Sequence, residues 1–221
     1  MAITYDSSAT ATASFATNAS GTIVIADQTN RLCWIGMRTN DTSPPGTTTS
    51  VTVGSVSGTK WGELQYTGGA DIYELWYVKN PTVGSQPFVV NFGTSTVAAV
   101  TATNYYGVNQ TTSFGANASG TVTDETSLSV TLNPTSYANS MIYVQGGRDG
   151  GTEIGVSGCT QRASATNVAD VVVSADQTTT STGSYTVAVS GESSNYLLWA
   201  VEMNPAGATI TSKNTQAVCF W

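Results

Sequence analysis

The sequence predicts an all-β protein, a two-sheet antiparallel β-sandwich of jelly-roll-like form built from two related halves. Hardly any window of about eleven residues places apolar side chains at helical spacing opposite charged ones. Short runs rich in Val, Ile, Thr, Tyr and Trp recur instead, bounded by Gly, Asn, Ser or Pro, which is the strand signal. Three motifs also return in the same order along the 221 residues.

Taken in order, the strand signals fall near 21–27, 31–38, 49–56, 72–79, 87–93, 96–103, 127–132, 140–146, 169–175, 184–190, 195–203 and 216–221. Ser127 to Leu132 and Tyr185 to Val189 alternate apolar with polar, as a sheet with one wet face requires. Leu32-Cys33-Trp34-Ile35 and Leu197-Leu198-Trp199-Ala200-Val201 are apolar on both faces and belong in covered, central strands. Thr39 to Gly46 and Gly146-Gly147-Arg148-Asp149-Gly150-Gly151 read as loops. The second of these is no phosphate cradle, for no Lys-Thr or Lys-Ser follows it and no helix begins there. Gln177 to Gly183 reads as a hairpin connection.

The repeat rests on three pairs of stretches. SFATNASGT at 14–22 matches SFGANASGT at 113–121 in seven of nine positions. NRLCWIGMR at 30–38 matches NSMIYVQGGR at 139–148 more loosely, and ELWYVKNP at 74–81 matches LLWAVEMNP at 197–205. The order predicts one sandwich over 1–221 with half repeats of about 14–103 and 113–221; the alternative is two tandem small sandwiches split near 105–112. Trp34, Leu75, Trp76, Leu198 and Trp199 are the expected core. Each Leu-Trp strand should send its indole into the inter-sheet layer. Asn-Pro should then stop the strand, since proline cannot donate to a ladder.

Composition narrows function. Only 10% of residues are charged, and seven basic against fourteen acidic residues leave a net charge of −7. Scattered cations argue against nucleic acid and against an anionic membrane surface. The first fifteen residues have neither a basic start nor an apolar run, so the expected route is synthesis in a host cytoplasm without a leader. Cys33, Cys159 and Cys219 read as buried thiols, not a disulfide scaffold. Histidine is absent, which removes Ser-His-Asp and Cys-His chemistry and the commonest metal ligand.

Carboxylates are the remaining candidates for catalysis. Glu63, Asp71 and Glu74 lie close in sequence, and Glu202 takes the place of Lys79 in the repeat. With Trp61, Tyr73, Trp76 and Tyr77 as platforms they would suit glycoside hydrolysis. The structural alternative makes Glu74 and Glu202 solvent-side residues of half-buried strands, and it is the expected one. Asp124-Glu125 and Asp149 with Glu153 are loop carboxylates that match no calcium motif. The expectation is therefore a protein that is not an enzyme and has no cofactor or metal.

The series ELWYVKNPTVG, YYGVNQTTSFG and LLWAVEMNPA resembles a family of jelly-roll-like β-sandwich modules of phage virion proteins and of phage-derived or secreted bacterial proteins. The resemblance covers roughly 14–206 and brings no catalytic residue with it. It implies a structural virion protein, foremost a capsid decoration or cement protein. Its partners would be itself, as a homo-oligomer and by analogy a trimer, and other virion proteins. A carbohydrate-binding or adhesive module is the alternative, and a glycoside hydrolase the third. Beyond the resemblance lies the aromatic tail, where Val218, Phe220 and Trp221 are the expected contact residues.

Overall fold

In the computed structural model, the residues described are 1–40, 47–65, 71–132, 137–150, 153–168 and 170–207, and none of them is helical. Two antiparallel sheets pack together. The first holds β1 (Thr4–Ile25), β2 (Leu32–Asn40), β3 (Thr48–Val53), β4 (Val56–Ser57), β5 (Thr59–Leu64), β6 (Asp71–Lys79) and β7 (Gly84–Tyr106). The second holds β8 (Phe114–Leu132), β9 (Met141–Asp149), β10 (Gly155–Ser157), β11 (Thr160–Asn167), β12 (Asp170–Thr178) and β13 (Tyr185–Met203).

The second sheet repeats the first strand for strand. β7 pairs with β1, β2 and β3, and β13 pairs with β8, β9 and β10. β6 lies between β2 and β5 as β12 lies between β9 and β11. Register agrees as well: Leu32 faces Lys79 and Tyr105, and Met141 faces Thr178 and Met203. Among the described residues only β4 has no counterpart.

Long ribbons bend to close each half. β1 follows β7 from Thr4↔Tyr106 to Ile25↔Gly84, with register shifts around Ala16 beside Phe15, whose φ is 54°. Such irregularities bend a strand and increase its twist. β1 thereby doubles back on itself, so that Ser7 Oγ donates to the Val24 carbonyl (2.5 Å) and the Ala26 amide to Asp6 Oδ2 (2.9 Å). The β8/β13 ribbon turns at Asp124 (φ 55°), whose carbonyl accepts from Ser193 Oγ at 3.0 Å.

Three apolar layers result. Cys33, Ile35, Trp76, Phe88 and Val100 fill a core within the first half. Ile142, Val144, Val173, Val189 and Leu198 fill one within the second. The opposite faces of the central strands meet in a seam built from Leu32, Trp34, Leu75, Tyr143, Val201 and Met203. The connection at 107–113 is bonded to both halves: Val108 N donates to the Asn30 carbonyl (3.0 Å) and Ala206 N to the Gly107 carbonyl (2.7 Å).

Several expected elements are longer or differently placed. The runs 87–93 and 96–103 are two legs of β7, and 184–190 and 195–203 are two legs of β13. The runs 21–27 and 127–132 mark only the ends of β1 and β8. Gly146 to Asp149, expected as a loop, lie inside β9. Close approach explains the glycines: a Cβ on Gly147 would collide with the Tyr73 ring, and one on Gly146 would meet Val189 Cγ1 at 2.6 Å. The expected strand at 216–221 lies outside the described residues.

Only the middle motif occupies equivalent positions, in β2 and β9, each entered through a left-handed asparagine, Asn30 (φ 61°) and Asn139 (φ 65°). SFATNASGT turns the bend of β1, whereas SFGANASGT opens β8. The Leu-Trp pairs fall in β6 and β13, which are not counterparts. Both strands do end at their Asn-Pro.

Candidate functional site

The seam is where the two halves place their most distinctive side chains. At its centre Trp34 of β2 stacks on its counterpart Tyr143 of β9, with centroids 4.9 Å apart and planes 9° apart. Both are fully buried. Trp34 Nε1 donates to Met203 Sδ (3.2 Å), and the Tyr143 hydroxyl donates to Gln145 Oε1. Burial, with the neighbouring Cys33 thiol, holds the Tyr143 pKa well above the usual phenol value. Around the stack, large faces small. Gln145 covers Gly36, Tyr73 covers Gly147, and the half-buried Trp199 ring covers Gly62, where a Cβ would meet it at 2.6 Å.

The Leu-Trp pair is set in opposite phases. Leu75 faces the seam while Trp76 turns into the core of the first half. Leu198 turns into the core of the second half while Trp199 faces the seam. The expectation of two inter-sheet indoles therefore holds for Trp199 and is corrected for Trp76, because β6 and β13 occupy different places in the repeat.

One end of the seam is ionic. Arg38, fully buried, meets Asp71 at 2.6 Å, Asp149 at 3.1 Å and Asp170. Asp71 and Asp170 are counterparts, opposite Asn40 and Asp149 in their sheets, and a single guanidinium serves both. Burial works to lower the Arg38 pKa, and Tyr73, Asp71 and Asp149 outweigh it, so the net shift is upward. The guanidinium stays charged and ties β2 to β6, β9 and β12.

The flanks of the seam form two corners. β5 and β11 each carry a bulge at the same place, between Lys60 and Gly62 and between Gln161 and Ala163, and the extra residues are Trp61 and Arg162. At the first corner Trp61 and Tyr77 receive Phe114 from the other half, with centroids 4.7 and 4.9 Å from it. At the second, Arg162 grips Asp176 through two bonds of 2.7 and 2.9 Å and lies 4.3 Å over the ring of Tyr5. The buried Tyr105 hydroxyl donates to the same Asp176 (3.0 Å), and burial with that carboxylate keeps the Tyr105 pKa well above its usual value.

The carboxylates proposed for catalysis are engaged inside the fold. Glu74 is buried, not solvent-facing, and accepts from Lys60 Nζ (2.5 Å) and Trp76 Nε1 (3.2 Å). Glu63 shares the same lysine at 2.7 Å. Glu202 is buried too, and its oxygens accept the Ala116 amide (2.9 Å) and the Tyr137 amide (3.3 Å). It corresponds to Asn104 and not to Lys79, and Asp6 plays its part in the first half through the Ala26 amide. Asp124 and Glu125 are exposed at the β8 bend, and Asp149 is drawn to Arg38. Among the described residues no three His, Cys, Asp or Glu side chains are grouped to hold a metal.

The expected platforms do not form a row. Tyr73 and Trp76 are buried, and Trp61 meets Tyr77 edge to face at 68°. Cys33 is buried and Cys159 half-buried, both free; Cys219 lies outside the described residues, as do Val218, Phe220 and Trp221. Residue patterns had flagged none of Arg38, Arg162, Asp170 or Asp176. The available signal was a charge set into an apolar strand, as in LCWIGMR and DVVVSAD, which demands a buried counter-ion. The chain matches no family model, no curated protein and no solved structure.

Proposed function

We propose that the protein is a non-enzymatic structural component of a phage virion, foremost a capsid decoration or cement protein that works as an oligomer. The observation that carries this reading is the internal use of its reactive side chains. Glu74, Glu202 and Asp176 all end in bonds within the fold, and the large aromatic rings pack the seam. Side chains bonded in this way favour a rigid body that contributes surface. The resemblance over roughly 14–206 supplies the virion context. The mechanism is mechanical: a folded body that binds only the assembled shell stabilises it by mass action.

The test adds the purified protein to phage capsids stripped of decoration, followed by electron microscopy and heating of the particles. Extra density on the shell, with greater heat resistance, is the expected result. A protein that joins neither capsid nor tail overturns the reading. Binding to a glycan array in its place would establish the adhesive alternative.

A further inference from the structure

The end of the molecule where Asn40, Asp71, Asp149 and Asp170 lie in register carries two bulky apolar side chains in water. Phe15, at the bend of β1, is 80% exposed, and Val168, at the turn from β11 into β12, is 86% exposed. The bend and the turn adjoin: Ser14 Oγ donates to Asn167 Oδ1 (3.4 Å), and the buried Asn167 amide donates to the Ala13 and Ala98 carbonyls. Neither side chain belongs to any of the apolar layers. Both residues also hold a left-handed backbone, with φ of 54° and 26°. Glycine or asparagine takes such a position readily, whereas a bulky or β-branched residue is strained there. Strain of this kind persists where function uses it.

The rest of that end is acidic. From the β11–β12 turn the strand ends continue through β9 and β13 to the bend of β8, three strand spacings or roughly 14 Å away. Asp149 at the end of β9 is partly exposed, and Asp124 and Glu125 are exposed at the β8 bend. Glu192 and Glu153 are exposed on either side of Gly191. Bonds from Ser194 to the Asp149 carbonyl and from Ser193 to the Asp124 carbonyl hold these segments together. Arg38 and Arg148, the cations of this end among the described residues, are buried. Arg31 and Lys79 lie at the opposite end, beside Leu32.

We infer that this end is a docking face for a basic protein surface with an apolar pocket, which takes Phe15 and Val168 while its cations meet the acidic strand ends. Interfaces are commonly built so: a few apolar or aromatic anchors carry the binding energy, and a charged rim sets partner and orientation. Charge selects the occupant. A second copy of this chain, also of net charge −7, is repelled by an acidic face, as are nucleic acid and an anionic membrane surface. A basic protein surface is attracted by the same charges that the anchors need covered. The inference rests on the particle reading above, under which that surface belongs to the virion shell.

Pelleting of the full chain with undecorated phage capsids, from low to high salt, tests it. Wild-type binding should fall as salt rises. Phe15→Gly with Val168→Gly removes both anchors and puts glycine where the backbone favours it. This variant should melt about 2–4 °C above the wild type, yet bind the shell roughly tenfold more weakly. Glu125→Lys with Glu153→Lys, both at exposed positions, should weaken binding and flatten its salt dependence. Val83→Ser changes an exposed apolar residue at the opposite end and should bind as the wild type does. A glycine variant that pellets as well as the wild type, or wild-type binding that ignores salt, overturns the inference and leaves the particle reading standing. A wild type that joins no shell overturns both.

Discussion

The two corners of the seam occupy corresponding places in the two halves and are made of opposite materials. Trp61, Tyr77 and Phe114 close one with ring edges and faces, whereas Arg162, Asp176 and Tyr5 close the other with an ion pair under a ring. Backbone geometry is shared down to the bulge that aims Trp61 and Arg162 inward. The fold therefore dictates a side chain's position without dictating its chemistry. Each corner needs only one lid residue from the other half, and any filling that leaves no polar group unpaired will serve.

The largest effect should come from Trp34, whose ring meets Trp61, Tyr77 and Phe114 of the first corner and stacks on Tyr143, the neighbour of Tyr105. Trp34→Ala removes the stack with Tyr143 and should cost about 3–5 kcal/mol in urea unfolding, the range for a buried aromatic. Alkaline pH separates the halves next. Burial raises the Cys33 thiol from 9.0 to about 12, and its counterpart in the second half is Ile142. The folded state keeps a proton that the unfolded chain releases, so this contribution is whole below pH 9 and is lost as pH climbs towards 12. The loss is roughly 1.4 kcal/mol per pH unit. Cys33→Val should flatten that limb of a melting-temperature profile, and a profile unchanged by the substitution would refute the assignment.

Smaller effects discriminate between the corners themselves. Asp176→Ala strands the Tyr105 hydroxyl and half-frees Arg162, and a loss of about 1–3 kcal/mol is expected by calorimetry. Replacing both charges and the stranded hydroxyl together, Arg162→Leu with Asp176→Leu and Tyr105→Phe, should land within about 1 kcal/mol of wild type, because an apolar filling avoids desolvating an ion pair and leaves no buried donor unpaired. A loss in this triple variant as large as in Asp176→Ala would mean that the ion pair sets the orientation of the halves.

Much of this architecture was legible in the sequence. Strands such as Leu32 to Arg38 and Asp71 to Lys79 announce themselves through Val, Ile, Leu and aromatic residues, and the two-half organisation shows in the asparagines that open β2 and β9. The first leg of β1 and all of β11 escaped notice, since DSSATATAS and TQRASATN hold almost no large apolar residue. Their places come from the ladder and not from side-chain burial. Gly146 and Gly147 signalled a loop because close packing and chain reversal both call for a missing Cβ. Glu74 and Glu202 were misplaced for a related reason: alternation reports which face a residue occupies, but not whether a lysine or a backbone amide waits there. The pairings across the seam were hidden, as the partners lie up to 169 residues apart, the separation of Trp34 and Met203.

The bent ribbons carry a consequence for how the chain is born. Thr4 finds its partner only at Tyr106, and Phe114 only at Met203, so neither sheet can close until its last strand has left the ribosome. Contacts this distant along the chain make folding slow. For the whole of that wait β2 carries Trp34, and β6 its Leu75, without a covering layer. Folding thus waits twice on the growing chain, and the seam face of the first half stays exposed to misassembly until Tyr143 and Met203 arrive.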